Sequence, residues 1–117
     1  RLIDTIRGRA PNAFIVVMNL PNFGALPYIA NRPVAERRIV QDVAVRLTRE
    51  AINPLAARVP VVDLMCDARS YQGIYSADGF HPNDAGYAYL ADVLMTAISS
   101  GTSPAPAASC GFMSIVG

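Results

Sequence analysis

His81 is the only histidine in the chain, and an aspartate stands three positions before it in Asp78-Gly79-Phe80-His81-Pro82. A turn of that length can bring the two side chains to one side. The carboxylate then accepts a hydrogen bond from imidazole Nδ1–H, which fixes the tautomer, leaves Nε2 as a base and stabilises the imidazolium that forms when Nε2 takes a proton. That is half of a nucleophilic machine, and it lacks the hydroxyl it would deprotonate. The same residues also suit a plain turn, with Asp78 opening it and His81 capping a helix that starts at Pro82. Ser70 and Ser76 lie in the preceding loop, but neither sits at a strand-to-helix elbow that would aim a nucleophile beside backbone donors. Asp78, His81 and Asp84 could also be read as metal ligands. One imidazole and two carboxylates make a thin set for zinc, so neither a metal nor another cofactor is expected.

The surrounding pattern must supply the elements that hold this pair. Residues 1–9 carry Leu2, Ile3 and Ile6 at helical spacing without an N-cap signal, as though a helix were entered part-way. Ala13–Met18 is an unbroken apolar run rich in β-branched residues, the pattern of a strand buried on both faces of a parallel sheet. From Val34 to Ala57 a stripe of Val40, Val43, Ala44, Leu47, Ala51 and Leu55 predicts one amphipathic helix packed on that sheet. Val59–Met65 predicts a second buried strand, with Pro60 near its start, where a missing N–H is tolerable. Strand, helix and parallel strand make a βαβ crossover. A polar loop from Asp67 to Phe80 leads into a last helix, with Pro82 at its first position, Asp84 in its first turn, and Gly86, Leu90, Val93, Leu94 and Ala97 on its apolar face.

Asp78-Gly79-Phe80-His81-Pro82-Asn83-Asp84-Ala85-Gly86-Tyr87 resembles the last conserved block of the GDSL/SGNH hydrolases, and the segment from Phe14 to Gly24 is similar to the buried strand and Pro-containing loop that follow that family's third block. The resemblance spans residues 11 to 98. It implies an α/β fold, a three-layer α/β/α sandwich with a parallel sheet (SGNH-hydrolase, flavodoxin-like), of which residues 1–98 would be the C-terminal part of a single domain. It implies an ester hydrolase (esterase or lipase) acting on small-molecule or lipid/acetyl esters through an acyl-enzyme, with His81 as general base and then acid, and Asp78 orienting it. Pro21, Asn22 and Phe80 are the candidate substrate-binding residues. No Gly-Asp-Ser block is present, and Asn19 lies beyond the position of the family's Gly-x-Asn-Asp. The serine and the oxyanion donors would then come from a missing N-terminal segment or a companion chain. The alternative, from a different class, is a non-catalytic α/β module that binds a partner chain through an exposed sheet edge.

Composition narrows the field. Hydrophobic residues make up 52% of the 117 and charged residues 16%, which suits a packed domain. Ten arginines and nine acids, scattered to a net charge of +1, give no basic stripe for nucleic acid. No apolar run approaches the ~20 residues of a membrane span, and the first residues lack the apolar core of a signal peptide. Cys66 and Cys110 are too far apart for a Cys-x-x-Cys motif. They are either two small buried hydrophobes or one disulfide of a secreted or extracytoplasmic protein. Residues 99–117 read as a Ser-, Pro- and Ala-rich tail of falling order. Its apolar end, Phe112–Val116, could dock back as a short strand or pack on a partner.

Overall fold

The computed structural model describes all residues, 1–117. The first helix, α1 (Leu2–Arg9), has Asp4 in its first turn and Arg7 and Arg9 in its last, charges that suit the helix dipole. It buries only Ile3, and Asp4 is bound by the Arg58 guanidinium. Two short strands follow, β1 (Val17–Met18) and β2 (Val61–Val62), paired in parallel with Val17 opposite Val61 and Met18 opposite Val62.

Successive strand residues face opposite ways, so this small sheet has two apolar faces. Val62 and Leu64, with Val16 and Met18, pack on Tyr89 and Ala97 of the last helix, α3 (Asp84–Ser100). Val61 and Val59, with Ile15 and Val17, pack on Ile3, Ile52 and Leu55. Helical segments therefore cover both faces of a two-stranded parallel sheet. Strand β2 is buried on both sides, as its sequence predicts. The first run is not: Ile15–Met18 are half-buried and Phe14 is 51% exposed. Apolar content signals what a strand could bury, whereas actual burial depends on what packs over it: β1 and β2 each pair with one strand, and only β2 is fully covered by its surroundings.

The predicted helix over 34–57 is broken. Helix α2 spans Val34–Leu47, then Thr48–Ile52 widen into a π turn and Asn53–Ala57 tighten into a 3-10 turn. Pro54 explains the break, since it has no N–H to donate to the carbonyl of Glu50 and its ring crowds that group. The predicted stripe is also rotated out of place. Gln41, Ala44 and Thr48 are buried, while Val43 and Leu47 are exposed. The helix is held against the turn Phe23–Ala25 by a backbone approach so close that a Cβ on Gly24 would lie 2.4 Å from the Arg37 carbonyl oxygen.

Helix α3 starts two positions later than predicted, at Asp84. Pro82 lies before the cap, bridged to Tyr75, and Asn83 is the N-cap, its side-chain oxygen accepting the Gly86 N–H at 2.9 Å. Gly101, at φ +74°, ends the helix in the left-handed conformation that glycine favours. After it the expected loss of order does not occur. Cys66 and Cys110 form a disulfide, the Ala107 N–H donates to Asp63, and Gly111–Ser114 dock as a 3-10 turn that buries Met113 beside Ala44 and Met65. A covalent tie and buried side-chain amides supply what the tail's composition lacks. No helix is long and apolar enough to cross a membrane.

Candidate active site

Asp78 and His81 sit at the tip of a tight loop between Ile74 and Asn83. Its base is closed by Asn83 N–H to Ile74 O at 2.8 Å and Ser76 N–H to His81 O at 2.8 Å, and its tip by Gly79 N–H to Ser76 O at 2.9 Å. Gly79 has a double requirement. Its φ is +73°, and a Cβ there would lie 2.5 Å from the Tyr28 nitrogen, which donates to the Gly79 carbonyl. Glycine thus lets the tip press against the segment Pro27–Ile29.

The spacing of the acid and the imidazole does what the sequence predicts. His81 Nδ1 lies 2.5 Å from Asp78 Oδ2. Asp78 Oδ1 accepts from the backbone N–H of Phe80 at 2.8 Å and of His81 at 2.9 Å, and from the Ser76 hydroxyl at 2.8 Å. The bond to His81, then these backbone and hydroxyl donors, hold the Asp78 carboxyl well below the usual carboxylate range. Nothing in the protein is hydrogen-bonded to His81 Nε2, and the side chain is 67% exposed. The Phe80 ring meets the imidazole edge-on with centroids 5.2 Å apart, and leans on Tyr28 and Phe23.

Beside this pair lies an apolar pocket of about 230 Å³. Pro21, Phe23 and Leu26 line it from one loop, Leu64, Ile74 and Leu90 line it from the body, and Phe80, His81 and Pro82 complete it. Tyr75 and Tyr89 also reach it, and burial pushes both hydroxyls up to about 12, so they stay protonated. Their oxygens are already engaged, Tyr75 donating to Ser70 O at 2.6 Å and Tyr89 sharing a bond of 3.1 Å with Ser70 Oγ.

Of the candidate substrate contacts, Pro21 and Phe80 line this pocket with His81, while Asn22 does not. Asn22 is fully buried, and its amide is spent on Gln41, Phe112 and Gly24. Neither serine is positioned to be deprotonated by His81: Ser70 is buried against Tyr89, and the Ser76 hydroxyl is turned to Asp78. Asp84 lies in the first turn of α3, and no cluster of three or more His, Cys, Asp or Glu is present that could hold a metal ion. Asn19 is structural, its side-chain oxygen accepting the N–H groups of Leu64 and Met65 at the end of β2. Gln41 and Tyr71, which fix the pocket loop together with Phe112, are not singled out by the sequence pattern. A glutamine inside a buried helix face was the available signal.

No curated protein and no solved structure matches the chain. The model of the GDSL-like lipase/acylhydrolase family matches residues 1–89, which include β1, β2 and both members of the dyad. With more than half of its length matched, the chain belongs to the GDSL-like lipase/acylhydrolase family.

Proposed function

We propose that this chain supplies the acid–base half of a serine ester hydrolase, and that the nucleophilic serine and oxyanion donors come from a segment outside it. The observation that carries the reading is the Asp78–His81 bond, set on a loop whose own hydrogen bonds hold the carboxylate ionised, beside an apolar pocket. In the reaction, His81 Nε2 takes the serine proton as the serine oxygen attacks the ester carbonyl carbon. The tetrahedral intermediate collapses with the proton passing from the imidazolium to the leaving alkoxide, and an acyl-enzyme and free alcohol remain. Water, deprotonated by the same nitrogen, attacks the acyl-enzyme, and the second intermediate collapses to the acid as the imidazolium returns that proton to the departing serine oxygen. Asp78 keeps the Nδ1–H in place throughout.

In the whole protein the two-stranded sheet would widen into the three-layer α/β/α sandwich, a reading supported by the outer edge of β1, which pairs with no strand. The disulfide supports a secreted or extracytoplasmic location, since such bonds persist in oxidising compartments. The same open edge favours a second reading, a module that associates with another chain without catalysing.

One assay separates the two. Alone, the chain hydrolyses short aryl esters no faster than its His81→Ala version. Joined to a segment carrying a Gly-Asp-Ser block, it turns over esters, His81→Ala lowers kcat by several orders of magnitude, and Asp78→Ala lowers it less. A folded, fluorophosphonate-labelled assembly whose rate ignores both substitutions sinks the catalytic reading and leaves the associating module.

A further inference from the structure

The loop that gives the pocket its Pro21, Phe23 and Leu26 wall has no regular structure beyond two single 3-10 turns. It is fixed by buried hydrogen bonds that converge on Asn22. The Asn22 N–H donates to the Tyr71 hydroxyl at 2.8 Å, and that hydroxyl donates to Met65 O at 2.7 Å. The Asn22 amide donates to Gln41 Oε1 at 2.9 Å and to Phe112 O at 2.8 Å. Gln41 Oε1 also accepts the Val116 N–H at 2.9 Å, and the Phe112 ring stacks on Tyr71 with centroids 4.6 Å apart. Phe112 and Val116 belong to the tail beyond Cys110, which lies outside the residues that match the family model and is tied to the body by the disulfide.

A buried amide that loses an acceptor moves to where it can be paired or hydrated. Without the tail, Asn22 keeps only Gln41 as a side-chain acceptor, and Tyr71, which holds the Asn22 backbone, loses its stacking partner. The wall is then free to shift outward, and an apolar pocket with a movable wall has no sharp size limit.

We propose that the C-terminal tail, acting through Asn22 and Gln41, is the specificity-determining element of this chain: it sets the wall of the pocket and limits it to aliphatic or aryl groups of about six to eight heavy atoms. The size follows from the pocket's volume of about 230 Å³ and about 30 Å³ for each water-sized group. The identity of that group as the acyl or alkyl part of an ester rests on the hydrolase reading, whereas the pocket and its wall stand apart from it.

The test uses the chain as it is and needs no turnover. Straight-chain primary alcohols from butanol to dodecanol are titrated into isotopically labelled protein, and binding is read from the methyl signals of Leu26, Ile74 and Leu90. In the oxidised chain each added methylene tightens binding about fourfold until about six to eight carbons, after which the gain stops. Phe112→Ala, and separately reduction of the disulfide, remove that limit, so longer alcohols keep gaining affinity. If both are unfolded by circular dichroism, Phe112→Leu, which keeps an apolar side chain but not the ring stack, carries the same comparison. Ile115→Ala, at an exposed tail position, leaves the limit unchanged, and Leu90→Phe, on the body side, shortens it. An identical limit with and without the tail contacts overturns the proposal, as does a failure of any alcohol to saturate or affinity that climbs unbroken to dodecanol in the intact chain. Because no ester is cleaved, this outcome is independent of whether the reconstituted protein proves active.

Discussion

Asp78 loads its two oxygens unequally, with Oδ2 facing the imidazole and Oδ1 gathering the Ser76 hydroxyl and two backbone N–H groups. The residue that orients His81 is therefore also the residue that shapes the loop, and both duties require the ionised form. A carboxyl whose folded pKa lies below its unfolded value of about 3.9 stabilises fully above that value and loses the stabilisation as pH falls through the folded pKa. Asp78 is accordingly expected to stay ionised through pH 4, when ordinary aspartates are taking up protons. In a carboxyl-carbon NMR titration its midpoint should fall below those of the exposed aspartates and rise in His81→Ala, because His81 is the largest cause of the shift. A midpoint near 3.9 in both proteins would count against the geometry. This pair was legible because its members are three positions apart. The burial of Asn22 was not legible, because its partners Gln41, Tyr71 and Phe112 lie 19, 49 and 90 positions away, and no local pattern announces such a meeting.

Asn83 joins the dyad loop to α3. Besides capping Gly86 N–H, its amide nitrogen donates to the carbonyls of Gly73 and Tyr75, so one side chain ties the loop's base to the helix start. Asn83→Ala is expected to cost about 1–2 kcal/mol in urea unfolding, against a few tenths for Asp84→Ala, which removes only a favourable charge from the first turn. Equal costs would show that the cap is not what holds the helix start. Sequence pattern located β2 because its apolar residues are buried, and α3 because Gly86 and Ala97 of the predicted face are buried and Leu90, Val93 and Leu94 half-buried, although the pattern missed the buried Tyr89. It failed at α2, whose buried face is chosen by Gln41 hydrogen bonds and the close approach of Gly24 rather than by the stripe of Val40, Val43 and Leu47. Pro54 was visible inside the predicted helix, and the break it causes could have been placed.

Across the whole molecule, the disulfide turns a tail of weak composition into part of the packed body. On the chain-entropy account, a cross-link over 44 positions stabilises by roughly 3–4 kcal/mol. Reduction should therefore lower the unfolding free energy by about that amount, and the non-reduced, unfolded chain should show no thiol titre; two free thiols would remove the bond from the account. The sequence left this pairing open because spacing does not reveal that Cys66, just past β2, and Cys110 come to rest 6.0 Å apart at their Cα atoms. The same bond has a topological effect. It closes a covalent ring from Cys66 to Cys110 that contains the Ile74–Asn83 loop and all of α3. A protease that nicks the exposed backbone at Gln72–Gly73 cuts a ring and releases nothing, because the segment that carries His81 stays joined to the rest through Cys110 and Cys66. A nick at the exposed Asn31–Arg32 cuts a linear stretch instead, and only packing and hydrogen bonds then keep α1 and β1 with the dyad.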